Sequence, residues 1–99
     1  MEVRFDDLRL QRLETDPSFV AREISQDVVR SFRKKMQFIR AAADERDLHA
    51  MKSLHFEKLK GDRAHQRSVR LNDQWRLILE FETTTGGKVV VVMKIEDYH

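Results

Sequence analysis

The sequence predicts an α+β fold of two layers, N-terminal helices packed on a twisted antiparallel β-sheet, in one domain over residues 1–99. Three observations predict it. Val29, Phe32, Met36, Ile39 and Ala43 recur at three- and four-residue steps, with Arg30, Arg33, Lys34 and Gln37 opposite, which is the pattern of an amphipathic helix. From Arg67 onward the period changes to two, with turn residues at Asn72–Gln74 and at "TTTGG". The helical pattern comes first in the chain and the strand pattern second, so a greasy sheet face is left for the helices to cover.

Taken in order, "EVRF" reads as a short strand and "DDLRLQRLE" as a short helix with Leu8 and either Leu10 or Leu13 inward. Asp16 before Pro17 reads as a helix start, with the aspartate as cap and proline at the first helical position. Ser25 and Asp27 mark a second start, leading into the helix of Val29–Ala43. "ADERDLHAM" supplies a further turn or two with Asp44 at its cap, and His55-Phe56-Glu57 reads as a strand before a loop at Gly61-Asp62. Val69 and Leu71, then Trp75, Leu77, Leu79 and Phe81, then Val89, Val91, Met93 and Ile95 form the apolar faces of a three-strand meander.

Register follows from matching those faces across each hairpin. A three-residue turn at Asn72–Gln74 pairs Val69 with Leu77 and sets Arg70 opposite Arg76. Like charges opposed across strands cost up to about 1 kcal/mol, so an anionic ligand is one way to offset the pair and splaying into water is the other. For the second hairpin, Phe81 matches either Val91 or Met93, and Arg76 then faces either Glu96 or Tyr98. Both registers carry the closing residues Asp97, Tyr98 and His99 to the Arg76 strand.

The net charge is only +2, but it is uneven. Residues 52–76 hold seven basic side chains (Lys52, Lys58, Lys60, Arg63, Arg67, Arg70, Arg76) against Glu57, Asp62 and Asp73, a local +4. That is an electrostatic footprint suited to a polyanion, or a solvated face that keeps the chain soluble. No cysteine is present, no run is long and apolar enough to span a bilayer, and "MEVRFDD" lacks a signal-peptide layout. A cytoplasmic protein is expected. The histidines His49, His55, His65 and His99 show no metal-ligand spacing, and neither a P-loop nor a nucleophile elbow occurs, so neither metal nor small-molecule cofactor is expected. What remains is histidine, tyrosine, lysine and acidic groups beside a cationic face. That suits RNA cleavage in which the ribose 2′-OH is the nucleophile and the protein supplies an acid, a base and positive charge.

At "LHFEKLKGDRAHQRSVRLNDQWRLILEFE" and the ending "IEDYH" the sequence resembles the HigB-type toxins of the RelE/ParE superfamily. The resemblance implies a RelE-like fold and a ribosome-dependent mRNA endonuclease acting in the A site of the 70S ribosome, neutralised by a HigA-type antitoxin. It implies that Asp97, Tyr98 and His99 contribute to cleavage, that Arg76 contacts the scissile phosphate, and that Lys60 and Arg63 touch RNA. Lys58, Arg67 and Arg70 join them as RNA contacts from the basic window. Family members carry a catalytic histidine in His-Pro-Leu-Lys-Gly-Asp; here Glu57 stands at that position and Lys58 replaces the proline. On a strand, His55 would share a face with Glu57 and could stand in. Two other readings remain: a ParE-like inhibitor of DNA gyrase, and an RNA-binding module without cleavage.

Overall fold

A computed structural model describes residues 1–98. Its elements are β1 (Glu2–Phe5), α1 (Leu8–Thr15), α2 (Gln26–Ala41), α3 (Glu45–Ala50), β2 (Glu57–Lys58), β3 (Gln66–Arg70), β4 (Trp75–Thr84) and β5 (Gly87–Asp97), with single 3₁₀ turns at Lys52–Leu54 and Gly61–Arg63. The strands form one sheet in the order β1-β5-β4-β3-β2. Strands β2 to β5 are antiparallel neighbours, and β1 adds in parallel beside β5, so the sheet is mixed.

Helix α1 starts where Asp7 accepts from the Arg9 backbone N–H at 2.9 Å, leaving one fewer orphan donor. Leu10 and Leu13 are buried, while Leu8 is 68 % exposed. Asp16 ends this helix instead of starting another. Its N–H reaches back to the Arg12 carbonyl, and its carboxylate accepts from the Ser18 N–H and hydroxyl at 3.0 and 2.7 Å. The proline that follows disfavours helical backbone at Asp16, which closes α1 there. Helix α2 buries Val28, Val29, Phe32, Met36 and Ile39 in one stripe. Ala42, just past its end, takes the inward place expected of Ala43.

The stripe packs on one side of the sheet, against Val69, Leu71, Leu77, Leu79, Val90 and Val92. This is the helix side; the opposite side is called the far face below. Val69 lies opposite Leu77 and Arg70 opposite Arg76, the first-hairpin register read from the sequence. In the second hairpin Phe81 lies opposite Val90, neither of the two alternatives, yet Arg76 still faces Glu96. A bulge reconciles them: Ile78 pairs with Lys94 and Leu79 with Val92, which leaves Met93 as the extra residue. The alternation therefore changes phase at Met93. Val90 and Val92 face the helices, and so does Ile95, while Val89, Val91, Lys94 and Glu96 lie on the far face.

The Asn72–Gln74 turn ties three parts of the molecule together. Asn72 Oδ1 accepts from the Gln74 and Trp75 N–H groups at 2.9 and 2.8 Å, and its amide donates to Asp27 on α2. The Gln74 carbonyl accepts from the Tyr98 N–H at 2.7 Å, and its side chain donates to Asp97 Oδ2 at 3.1 Å. Asn72→Ala is expected to lower stability by about 1–2 kcal/mol, because two turn N–H groups lose their acceptor. Urea unfolding should show the midpoint falling with an unchanged slope.

Candidate functional site

Directly opposed residues in an antiparallel pair share a face, so the far face reads off in rows. One row runs Arg70–Arg76–Glu96, and the next runs Glu57–Ser68–Ile78–Lys94. Tyr98 continues the first parity, and its ring lies under the Arg76 guanidinium at 4.2 Å from carbon to ring centroid. Such a stack holds the cation in place through the ring quadrupole.

Arg76 is unusual in what it lacks. Its Nε and Nη1 are buried, and no described residue accepts a hydrogen bond from either. Its neighbours are otherwise engaged. Arg70 pairs with Asp73 in the turn. Glu96 accepts from Arg63 Nη1 and Nη2 at 2.9 and 3.0 Å and takes Lys94 Nζ at 3.1 Å. Arg63 is itself anchored through Nε to Gln66 Oε1 at 2.8 Å, and Gln66 donates on to Glu80 at 2.9 Å. Gly61, at φ +66, gives the 3₁₀ turn its entry; the left-handed backbone there is what favours glycine, since a Cβ would meet nothing within 4 Å.

The Arg63 hydrogen bond, against the opposing effect of burial, holds the Glu96 carboxyl below its ordinary value of 4.5, with Lys94 adding to the effect. A carboxyl lowered on folding stabilises the fold above its unfolded value and loses that contribution as pH falls through the native one. Glu96→Gln is therefore expected to flatten the loss of stability below about pH 4.5, read by thermal melts across an acid pH series.

The other residues singled out from the sequence distribute unevenly. Asp97 lies opposite Trp75 at the end of β5, and Tyr98 is half exposed beside it. His99 lies outside the described residues. Lys60 is exposed where the chain enters the Gly61–Arg63 turn. Lys58 and Arg67 pair with each other and, by parity with Leu79, sit on the helix side; Arg67 donates to Glu45 of α3 at 3.1 Å. The structure does not bring these two to the Arg76 face. Nor is His55 in a strand. It ends the Lys52–Leu54 turn in left-handed backbone, φ 45 and ψ 51, before β2 begins, so the shared-face argument for it fails. Glu57 alone of that stretch joins the far face. The outward aim of Glu96 was read from the sequence, but its partnership with Arg63 was invisible from spacing, because 33 residues separate them.

With this geometry in view, the sequence model of the HigB-like toxins, described as the RelE-like toxin of the type II toxin–antitoxin system HigB, matches residues 3–99. The chain belongs to the HigB-like toxin family. Among solved structures, this HigB-like chain is similar to the YoeB/ParE toxin from Agrobacterium tumefaciens, with a TM-score of 0.57 and 16 % identity over 100 % of both chains. At that identity the likeness concerns the fold, which is the RelE-like one. Among curated proteins none matches the sequence. Membership of a type II system implies an antitoxin as partner of this HigB-like toxin. No helix among the described residues is long and apolar enough to cross a membrane.

Proposed function

We propose that this toxin is a ribosome-dependent mRNA endonuclease, cutting translated mRNA in the ribosomal A site in the cytoplasm and held inactive by a HigA-type antitoxin. The observation that carries the reading is the Arg76 guanidinium, stacked on Tyr98, with two buried N–H-bearing nitrogens that no described residue satisfies. Buried polar groups are normally paired, and an orphaned cation on a functional face calls for an anion. A phosphodiester fits, since a guanidinium presents two N–H groups to two phosphate oxygens at once.

In the proposed reaction the 2′-OH attacks the adjacent phosphorus, and the bond from phosphorus to the 5′-oxygen breaks. One group takes the 2′ proton and another gives a proton to the departing 5′-oxygen, leaving a 2′,3′-cyclic phosphate and a 5′-hydroxyl. Arg76 stabilises the charge that builds on the phosphate, with Arg70 and Lys60 binding the flanking backbone. The proton-handling roles go to His99, assisted by Asp97 and Tyr98, and to Glu57, which shares the Arg76 face where His55 does not.

The test is purified toxin added to 70S ribosomes programmed with a defined mRNA, with cut sites mapped by primer extension. Cuts in the A-site codon that require ribosomes, and that fade in a chain lacking Tyr98 and His99, are expected. Inhibition of gyrase supercoiling with no RNA cut would overturn the reading, as would full cleavage by the truncated chain.

A further inference from the structure

Arg76 and Glu96 face each other across β4 and β5, so their Cβ atoms are about 5 Å apart. Opposite charges at that spacing ordinarily pair, which would neutralise Arg76. Here they do not. Both Glu96 oxygens are taken by Arg63, one of them also by Lys94, and the Arg76 guanidinium rests on Tyr98 instead. Arg63 is poorly placed to serve as an RNA contact, because Nε, Nη1 and Nη2 each already donate to a neighbour.

We propose that Arg63 is a positioning residue: it holds Glu96 away from Arg76 and so keeps that guanidinium uncommitted to a carboxylate, to be taken by an RNA phosphate. The inference rests on the reading that Arg76 receives the phosphate. The Gln66–Glu80 link behind Arg63 fixes the fork in place, so Glu96 meets a preorganised partner on one side and a stacked, less approachable one on the other. With Arg63 gone, Lys94 alone restrains the Glu96 carboxylate, through one point charge on a flexible stem, and the nearest strong competitor is Arg76. The same bonds raise Arg63 above and lower Glu96 below their ordinary values, so neither titrates near neutral pH and the clamp stays closed.

The decisive experiment is a charge-rescue cycle in the full chain. The probe is a single-stranded RNA with 2′-O-methyl riboses, which binds without being cut, and affinity is read by fluorescence anisotropy. Arg63→Gln is expected to bind about tenfold more weakly, as if one charge-assisted phosphate contact were lost. Adding Glu96→Gln to it should restore affinity to within about twofold of wild type, because the competitor for Arg76 is gone. Adding Glu82→Gln instead, which removes a charge opposite Val89 and far from Arg76, should restore nothing. A double variant Arg63→Gln/Glu96→Gln as weak as Arg63→Gln overturns the proposal and makes Arg63 a direct RNA contact. Equal rescue by Glu82→Gln also overturns it, as a general charge effect.

A second readout needs no RNA. The Arg76 Nε–H signal in nitrogen-resolved NMR should exchange more slowly in Arg63→Gln, as Glu96 accepts from it, and return to the wild-type rate in the double variant. No change in that signal counts against the proposal. Arg76→Met binding RNA as well as wild type would instead overturn the reading of Arg76 as the phosphate site, leaving the NMR signal to decide whether Arg63 positions Glu96.

Discussion

Arg76→Met is expected to cut cleavage on programmed ribosomes by about 10²–10³-fold, the usual cost of removing one preorganised donor to a developing charge. The melting temperature should hold or rise. That pairing of outcomes comes from the energetics of the site. Arg76 faces another arginine, Arg70, and its buried Nε and Nη1 go without an acceptor among the described residues. Each of these penalises the folded state, by up to about 1 kcal/mol for the opposed charges and about 1–3 kcal/mol for an unsatisfied buried donor. Methionine keeps the apolar stem that lies along the sheet and discards the cation. The loss of the Tyr98 stack takes back about 0.5–1 kcal/mol. Thermal melts beside a cleavage assay check both halves, and a large fall in melting temperature would mark Arg76 as a structural cation.

The core responds in the opposite way. Phe32→Ala is expected to destabilise by about 3–5 kcal/mol, the range for emptying a well-packed aromatic site. Phe32 is 0 % exposed and sits at the middle of the α2 stripe, against the helix side of β3, β4 and β5. A chain of 99 residues has a total stability of only about 5–15 kcal/mol, so the variant stands close to its unfolding threshold. Urea titration should show the midpoint falling sharply. Activity per folded molecule should survive, because the deletion is on the far side of the sheet from Arg76. Together the two variants separate what folds the chain from what the fold presents.

Which parts of this were legible in the sequence depended on how local their causes are. The α2 stripe and the Val69–Leu77 and Arg70–Arg76 register were readable, since each follows from periodicity and a three-residue turn. The parallel docking of β1 on β5 was not, because it joins Glu2 to Val89 across almost the whole chain. Asp16-Pro17 carries residues favoured at helix starts, but the same pair also ends helices, since proline disfavours helical backbone at the residue before it. His55 was misplaced by the same kind of short-range reasoning: the strand expected over His55-Phe56-Glu57 begins only at Glu57, because His55 closes the Lys52–Leu54 segment in left-handed backbone. At the candidate site, register alone set Arg76 beside Glu96 and Tyr98, whereas Asp97 lies opposite Trp75 and so takes the other parity. The Arg63–Glu96 pair was not legible, because it depends on a contact between residues 33 apart in the chain.

That extra residue, Met93, divides β5 into two segments that answer to different demands. Counting by twos from Val90 and Val92, an uninterrupted strand would aim Lys94, Glu96 and Tyr98 into the helices and Ile95 into solvent. The insertion works as a phase reset, after which Lys94, Glu96 and Tyr98 answer to the far face while Ile95 returns to the core. Upstream of Met93 the strand is held by packing on both faces, whereas beyond it the far-face positions are held by charge pairing instead. One residue thus separates the register that serves the core from the register that presents Glu96 and Tyr98, and Ile95 is the point at which the tail still answers to the core.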